Sequence, residues 1–285
     1  MFTTLINCAE LQSLRQRGAP LLLIDCTADL MHPEAGRQQF LAAHLPDAIH
    51  ADLDHDLSAH GDADAASGGR HPLPRREVFA QWLRHIGLQT ETQVVVYDRN
   101  GLNFCGRLWW MLKWAGHEAV AVLDGGLAAW VASGGALETG LGTPRIPSDW
   151  TLQPPLRVLV TADEVLAQLN QPGQTLVDAR AAPRFRGELE PLDPVAGHIP
   201  CALNRPFGLN LDAEGRLKPA DTLRAEFDAL LVGQDPASVV HQCGSGVSAL
   251  PNMLAMEVAG YPPTRLFAGS WSEWCRDPAR PVSRG

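Results

Sequence analysis

"PLLLID", residues 20–25, is a run of branched apolar residues closed by an aspartate, and it returns in altered form as "QTLVDAR" at 174–180. Short apolar runs ending in a polar turn are the pattern of strands buried on both faces, as in parallel sheets. Reading outward from the first run gives "AHLPDAIHADLD" (43–54), "QVVVYDRNG" (93–101) and "RLWWMLKWAGHEAVAVLDGGLAAW" (107–130). Reading outward from the second gives "GHIPCALNRPF" (197–207), "SVVHQCGSG" (238–246) and "NMLAMEVAGYPPTRLFAGSWSEW" (252–274). Asp25 matches Asp178, His44 matches His198, Asp98 matches Cys243 and Trp130 matches Trp274, with an offset that stays between 144 and 154 residues. Landmarks repeating in the same order at a nearly constant offset mark a duplicated unit.

Within each unit short apolar runs alternate with longer amphipathic ones. "LLLID", "VVVYD" and "AVLDG" are predicted strands, while "REVFAQWLRHIG" (76–87) and "CGRLWWMLKWAG" (105–116) carry apolar residues at helical spacing and end in glycine, a helix stop. Strands alternating with helices imply an α/β fold of two tandem domains, each a parallel sheet flanked by helices. The expected organisation is a first domain over 1–138, a Gly- and Pro-rich linker over 139–157 and a second domain over 158–285.

A chain of 285 residues exceeds what one hydrophobic core usually serves, in keeping with the duplication. Its 45% apolar and 19% charged residues are those of an ordinary globular protein. A net charge of −9 argues against nucleic acid or an anionic membrane as the main partner. No run approaches the ~18 apolar residues of a membrane span, and "MFTTLINCAELQSLRQRG" reads as the start of a folded domain rather than a secretion signal. The six cysteines (Cys8, Cys26, Cys105, Cys201, Cys243, Cys275) form no CxxC pair or zinc-like cluster. No metal and no cofactor are expected, and free thiols in a reducing cytoplasm are.

The chemistry concentrates at "HQCGSGVSAL", 241–250. Cys243 follows a strand and precedes a helix, which in an open α/β sheet is where ligands bind. After it come Gly244, Ser245, Gly246, Val247 and Ser248, without charge or bulk. Their amides can turn inward around an anion, with a helix N-terminus behind them, a field that favours a thiolate. Glycine at 244 and 246 permits positive φ and close approach of a ligand, and Pro251 suits the first turn of the helix. The matching residue of the first unit, Asp98, cannot carry transferable sulfur, so the first unit is expected to be inactive. "DARAAPRFRG" (178–187) offers Arg180, Arg184 and Arg186 after a strand, and arginine grips carboxylates bidentately. Arg180 follows Asp178 and is expected to tie the loop down.

The paired "AHLPDA" and "GHIPCA", the endings "LDGGLAAW" and "FAGSWSEW", and the single loop "CGSGVSA" together resemble the two-domain rhodanese and 3-mercaptopyruvate sulfurtransferase family over nearly the whole chain. The resemblance implies a ping-pong sulfur transfer. Cys243 would take sulfur from 3-mercaptopyruvate, releasing pyruvate, and pass it from a persulfide to cyanide, a thiol or a thioredoxin-like protein. It places Arg184 at the substrate carboxylate, with Arg186 beside it, and it groups Ser245 with His71 ("RHPLP") and Asp54 ("HADLDHD") as a proton-handling set. One departure stands out: a second arginine of the family pattern falls here at Asp193, so that either Arg186 or Arg205 substitutes or the donor preference is broader than the loop suggests. Another is Cys201 in place of the usual glycine, expected to serve packing. Thiosulfate is the alternative donor, and a persulfide carrier without turnover a further reading. A phosphatase of Cys-x5-Arg type is disfavoured, because the position six beyond Cys243 is Ala249.

Overall fold

The computed structural model describes residues 1–285 and divides into two compact units. Unit 1 comprises 1–61, 74–156 and 213–216; unit 2 comprises 62–73, 157–212 and 217–285. Each half of the chain therefore lends a short segment to the unit built mainly from the other half.

Unit 1 runs β1 (Leu5–Ile6), α1 (Cys8–Gln16), β2 (Leu21–Asp25), α2 (Pro33–Ala42), β3 (Ile49–His50), α3 (Arg76–His85), β4 (Gln93–Tyr97), α4 (Cys105–Trp114), β5 (Val120–Leu123) and α5 (Gly126–Ala132). Its five strands lie in the order β1-β5-β4-β2-β3, all parallel. The run "VVVYD" gives β4, the middle strand, with β2 ("LLLID") and β5 on either side, and every residue of β4 is buried. The predicted helices 76–87 and 105–116 stop at His85 and Trp114, where Gly87 and Gly116 turn the chain at φ +78° and +90°.

Unit 2 repeats the plan with β6 (Val158–Leu159), α6 (Ala162–Ala167), β7 (Thr175–Asp178), α7 (Ala182–Phe185), β8 (Leu203–Asn204), α8 (Ala220–Leu230), β9 (Val239–Gln242), α9 (Leu250–Val258), β10 (Arg265–Leu266) and α10 (Ser270–Trp274). The strand order is β6-β10-β9-β7-β8, again all parallel. The cores are built alike. Ile6, Leu11, Leu23, Val95 and Trp130 belong to one; Val165, Leu176, Ile199, Val240 and Trp274 belong to the other.

The repeated histidines are structural. His44 stacks on Phe40 with ring centroids 4.0 Å apart and hydrogen-bonds the Phe40 carbonyl through Nδ1. His198 does the same with Phe185 at 3.8 Å. The indole N–H of Trp130 donates to Ala136 O at 2.8 Å and that of Trp274 to Pro281 O at 2.9 Å, closing a turn in each unit. Asp47 and Cys201 occupy the same place in the repeat and both adopt left-handed backbone, φ 66° and 61°. Cys201 is exposed, with its thiol 2.8 Å from Asn170 Oδ1, so the packing role expected of it is not what the structure shows. The left-handed conformation explains why glycine would suit that position.

Residues 139–157 form no regular element, yet most of the stretch is tied to unit 1. The Gly140 amide donates to Leu41 O, Ser148 to Arg84 O and Gln153 to Ala115 O, while Trp150 is buried. No helix is long and apolar enough to cross a membrane.

Candidate active site

Strand β9 lies between β10 and β7 at the centre of the second sheet, and Cys243 follows its carboxyl end directly. The loop 243–249 then turns into α9, with Pro251 in the first turn. Cys243 is 1% exposed. Its carbonyl accepts from Trp271 N at 3.0 Å and the Gly244 carbonyl from Ser272 N at 2.9 Å, so α10 holds the start of the loop from behind. Gly246 has φ +73°, and a Cβ there would stand 2.2 Å from Ala268 O, so no side chain fits. Gly244, unlike Gly246, does not adopt positive φ. Its missing side chain instead leaves room for two guanidinium groups: a Cβ would lie 3.0 Å from Nη2 of Arg70 and 3.4 Å from Nη1 of Arg184. Val247 is buried and Ser248 half-buried.

Ser270, the first residue of α10, was not legible as a site residue. Its hydroxyl accepts from Cys243 N at 3.1 Å and lies 4.0 Å from Cys243 Sγ and 3.0 Å from Phe267 O. The residue holds φ +56°, in the left-handed region that favours glycine, and its twin in the first unit is Gly126 at φ +55°. The signal available in the sequence was the serine of "FAGSWSEW" standing where "LDGGLAAW" has its second glycine.

The first unit shows what such a loop binds. Asp98 occupies the position of Cys243, and its carboxylate accepts from the amides of Asn100 (2.9 Å), Leu102 (3.1 Å), Phe104 (2.9 Å) and Cys105 (2.9 Å). The carboxylate oxygens stand two bonds beyond Cβ, where the outer sulfur of a cysteine persulfide would stand. The counterparts of those amides are Ser245, Val247, Ala249 and Leu250. No acceptor within the protein takes the first three, while Leu250 N donates to Val247 O at 3.3 Å. Burial and the neighbouring Asp98 push the Cys105 thiol well up, and burial does the same to Cys26, which keeps both protonated and inert.

His71 belongs to unit 2 through the 62–73 segment, although it lies in the first half of the chain. Its Nδ1 is 2.8 Å from Ser245 Oγ, and both residues are buried. The segment is anchored next door: Gly68 N donates to Glu273 Oε2 at 3.1 Å and Arg70 N to Ser272 Oγ at 3.0 Å. Gly69, at φ +89°, lets the backbone approach, since a Cβ there would meet Gly269 O at 2.6 Å. Asp54 lies in unit 1, where its Oδ1 is 3.0 Å from His60 Nε2.

The arginines divide by role. Arg180 is buried, pairs with Asp178 at 2.7 Å, donates to Gly197 O at 2.8 Å and stacks over Trp271, which ties down the loop after β7. Arg184 faces the cysteine loop with its guanidinium held by Glu190 at 2.6 Å and Asp193 at 3.4 Å; its Nε is buried without a partner. Arg186, expected to bind substrate, is exposed and pairs with Glu188. Residues two apart on a helical turn do not share a face, so Arg184 and Arg186 diverge. Arg205 is buried away in a pair with Glu226, over the Phe227 ring. Neither stands in for the absent second arginine. Arg70 does stand beside Gly244, and it pairs with Asp193.

All six cysteines are free, and no group of three or more His, Cys, Asp or Glu residues is arranged to hold a metal ion.

Comparison with known proteins is consistent along the chain. A family model described as the rhodanese-like domain matches residues 7–133 and again 161–277. The "Probable 3-mercaptopyruvate sulfurtransferase" of Pseudomonas aeruginosa is 48% identical over 286 residues, covering 98% of this chain and 100% of that protein. A Mycobacterium tuberculosis relative carrying a thiosulfate sulfurtransferase name is 40% identical over 285 residues, covering 99% and 97%. Among solved structures, the 3-mercaptopyruvate enzyme SseA from Escherichia coli superposes with a TM-score of 0.77 at 31% identity, over 95% of this chain and 100% of that one.

Proposed function

The chain belongs to the rhodanese-like family, with two copies of its domain, and is a sulfurtransferase; from that premise we propose that Cys243 carries sulfur from 3-mercaptopyruvate to a thiophilic acceptor. The Cys243 thiolate attacks the donor's sulfur and a sulfur–sulfur bond forms. The carbon–sulfur bond breaks, its electron pair passing to carbon as the enolate of pyruvate. Protonation of that carbon releases pyruvate. An acceptor then attacks the outer sulfur: cyanide leaves as thiocyanate, a small thiol or a thioredoxin-like protein as a persulfide, and the Cys243 thiolate returns.

The observation that supports this most directly is the carboxylate of Asp98 in its ring of four amides. It is an anion held two bonds from Cβ by the loop that unit 2 repeats around a cysteine. Preset amides of this kind stabilise charge without reorganising. The same substitution underlies our reading of the first domain as inactive.

The choice of donor rests on the buried contact between Ser245 Oγ and His71 Nδ1 at 2.8 Å. Mercaptopyruvate leaves behind a carbanion equivalent of pyruvate that needs a proton; thiosulfate releases sulfite, which needs none. A hydroxyl backed by an imidazole beside the reacting sulfur is suited to the first task. We include Asp54 in this proton-handling set on the family pattern alone, and we place the protein in the cytoplasm, where six free thiols would stay reduced.

Steady-state kinetics with both donors tests the proposal. Mercaptopyruvate is expected to give the higher kcat/KM, and Ser245→Ala and His71→Ala should lower it by about 10²-fold, within the range of a lost general acid–base group. A preference for thiosulfate that neither substitution alters would overturn the donor assignment. Cys243→Ser should abolish turnover with either donor and the mass gain of one sulfur atom; retained turnover would remove Cys243 from the chemistry.

A further inference from the structure

We propose that Arg70, reaching Gly244 from the 62–73 segment, is the second carboxylate-binding arginine of this site, and that Asp193 is the residue that positions it. The proposal rests on the reading of the donor as a keto acid. Its ground is a juxtaposition at one point. Nη2 of Arg70 and Nη1 of Arg184 both fall within 3.4 Å of the place where a Cβ on Gly244 would be. Two guanidinium nitrogens from separate parts of the chain thus converge on the residue next to Cys243.

Both groups are aimed by the same acids. Asp193, whose side chain is 2% exposed, binds Nη1 of Arg70 through Oδ1 and Nη2 of Arg184 through Oδ2. Glu190, 3% exposed, takes Nη2 of Arg184 at 2.6 Å. These acids engage one edge of each guanidinium and leave Nη2 of Arg70, with Nη1 and Nε of Arg184, free of protein acceptors. The backbone of Arg70 is fixed as well, by Ser272 Oγ and by the close passage of Gly69 over Gly269. A guanidinium held this way loses little side-chain freedom when a carboxylate arrives.

The acids also set which anion is preferred. Two arginines offset by two carboxylates give a site with little net charge, in which recognition depends on hydrogen-bond geometry. A planar monoanion such as a keto acid's carboxylate fits two converging guanidiniums. A dianion gains less, because the excess positive charge it would need is already compensated. Asp193 is therefore a specificity device: it holds Arg70 in place and lowers the charge that would draw thiosulfate.

The test compares 3-mercaptopyruvate with mercaptoacetone, which keeps the thiol and ketone but lacks the carboxylate. Arg70→Ala is expected to raise KM for mercaptopyruvate by about 10- to 100-fold, the range for losing one charge-assisted pair, with kcat much less affected. The loss with mercaptoacetone should be far smaller, and Arg70→Lys should recover part of the affinity. Asp193→Asn should raise KM for mercaptopyruvate when Arg70 is present, add nothing in the Arg70→Ala background, and improve kcat/KM for thiosulfate. An unchanged KM for mercaptopyruvate in Arg70→Ala, equal losses with both ketone donors, or a lower KM in Asp193→Asn would each overturn the proposal. Calorimetric titration of pyruvate into Cys243→Ser, with and without Arg70→Ala, separates the two readings. Pyruvate binding that depends on Arg70 without mercaptopyruvate turnover in the unsubstituted protein would refute the donor and keep the clamp. Turnover with Arg70-independent binding would do the reverse.

Discussion

Ser270 holds φ +56° with its hydroxyl 3.1 Å from the Cys243 amide nitrogen and 4.0 Å from the sulfur. A non-glycine residue in that region carries a conformational cost, and here it presents a hydroxyl beside the sulfur of the proposed chemistry. Ser270→Ala and Ser270→Gly separate the two effects. Glycine relieves the backbone and alanine does not, yet both remove the hydroxyl, so both should lower kcat by about tenfold, the effect of roughly 1.4 kcal/mol of lost stabilisation. Full activity in the glycine variant, measured by pyruvate release, would leave the serine with a packing role alone. Gly246→Ala probes the loop itself. A methyl 2.2 Å from Ala268 O at φ +73° should cost about 2 kcal/mol or more, read as a lower denaturation midpoint with loss of persulfide formation. At this scale residue type and the composition of its loop single out Cys243 as the candidate nucleophile, and the family resemblance adds Ser245. It did not identify Arg70, whose place beside Gly244 depends on a fold that returns a first-half segment to the second unit.

The cysteine loop and its twin are one element with two fillings. In unit 1 the element is satisfied internally, since four amides donate to Asp98. Asp98→Ala should therefore destabilise the protein by about 3 kcal/mol, as buried amides lose a charged acceptor, while sulfur transfer at Cys243 continues at an unchanged kcat. Asp98→Asn, which keeps one acceptor oxygen, should cost less. Chemical unfolding followed by fluorescence checks both, and an Asp98→Ala protein as stable as the parent would mean those amides are satisfied by water. The exchanged segments show the same division. Segment 62–73 brings Arg70 and His71 to unit 2, whereas 213–216 brings Arg216 near Gly125 of unit 1. The strands and helices named in the first unit were legible because short branched apolar runs and a 3.6-residue period are local properties, and the repeat carried the plan to the second. The exchange was not, because a Gly- and Ala-rich loop carries no signal of what it will cover.

The stability of the molecule as a whole carries a pH signature from one strand. His241 in β9 is fully buried, neither ring nitrogen has a partner, and burial lowers its pKa from 6.5 to about 3. The unfolded chain takes up a proton below 6.5 that the folded one refuses, so this contribution is full above pH 6.5 and falls away as the pH drops towards about 3. The slope is about 1.4 kcal/mol per pH unit, so roughly 2 kcal/mol separates pH 7 from pH 5. Asp25, Asp56 and Glu273, all raised by burial, act in the opposite direction, so the comparison is with His241→Val, which copies the first unit's Val96. The difference in unfolding free energy between the two proteins should shrink by that amount from pH 7 to pH 5 if the parent starts more stable, or widen if it starts less stable. A difference that does not move with pH would mean that His241 titrates alike in both states. By itself the sequence determined the duplication, the parallel α/β plan of each unit, and the contrast between one cysteine and one aspartate at equivalent positions. All of these are encoded in residue type and short-range period. The tertiary structure alone decided that Arg70 joins Arg184 beside Gly244, that Asp193 pairs with both, and that Ser270 reaches the loop. Those contacts join residues far apart in the chain, and no local pattern sets the distance between them.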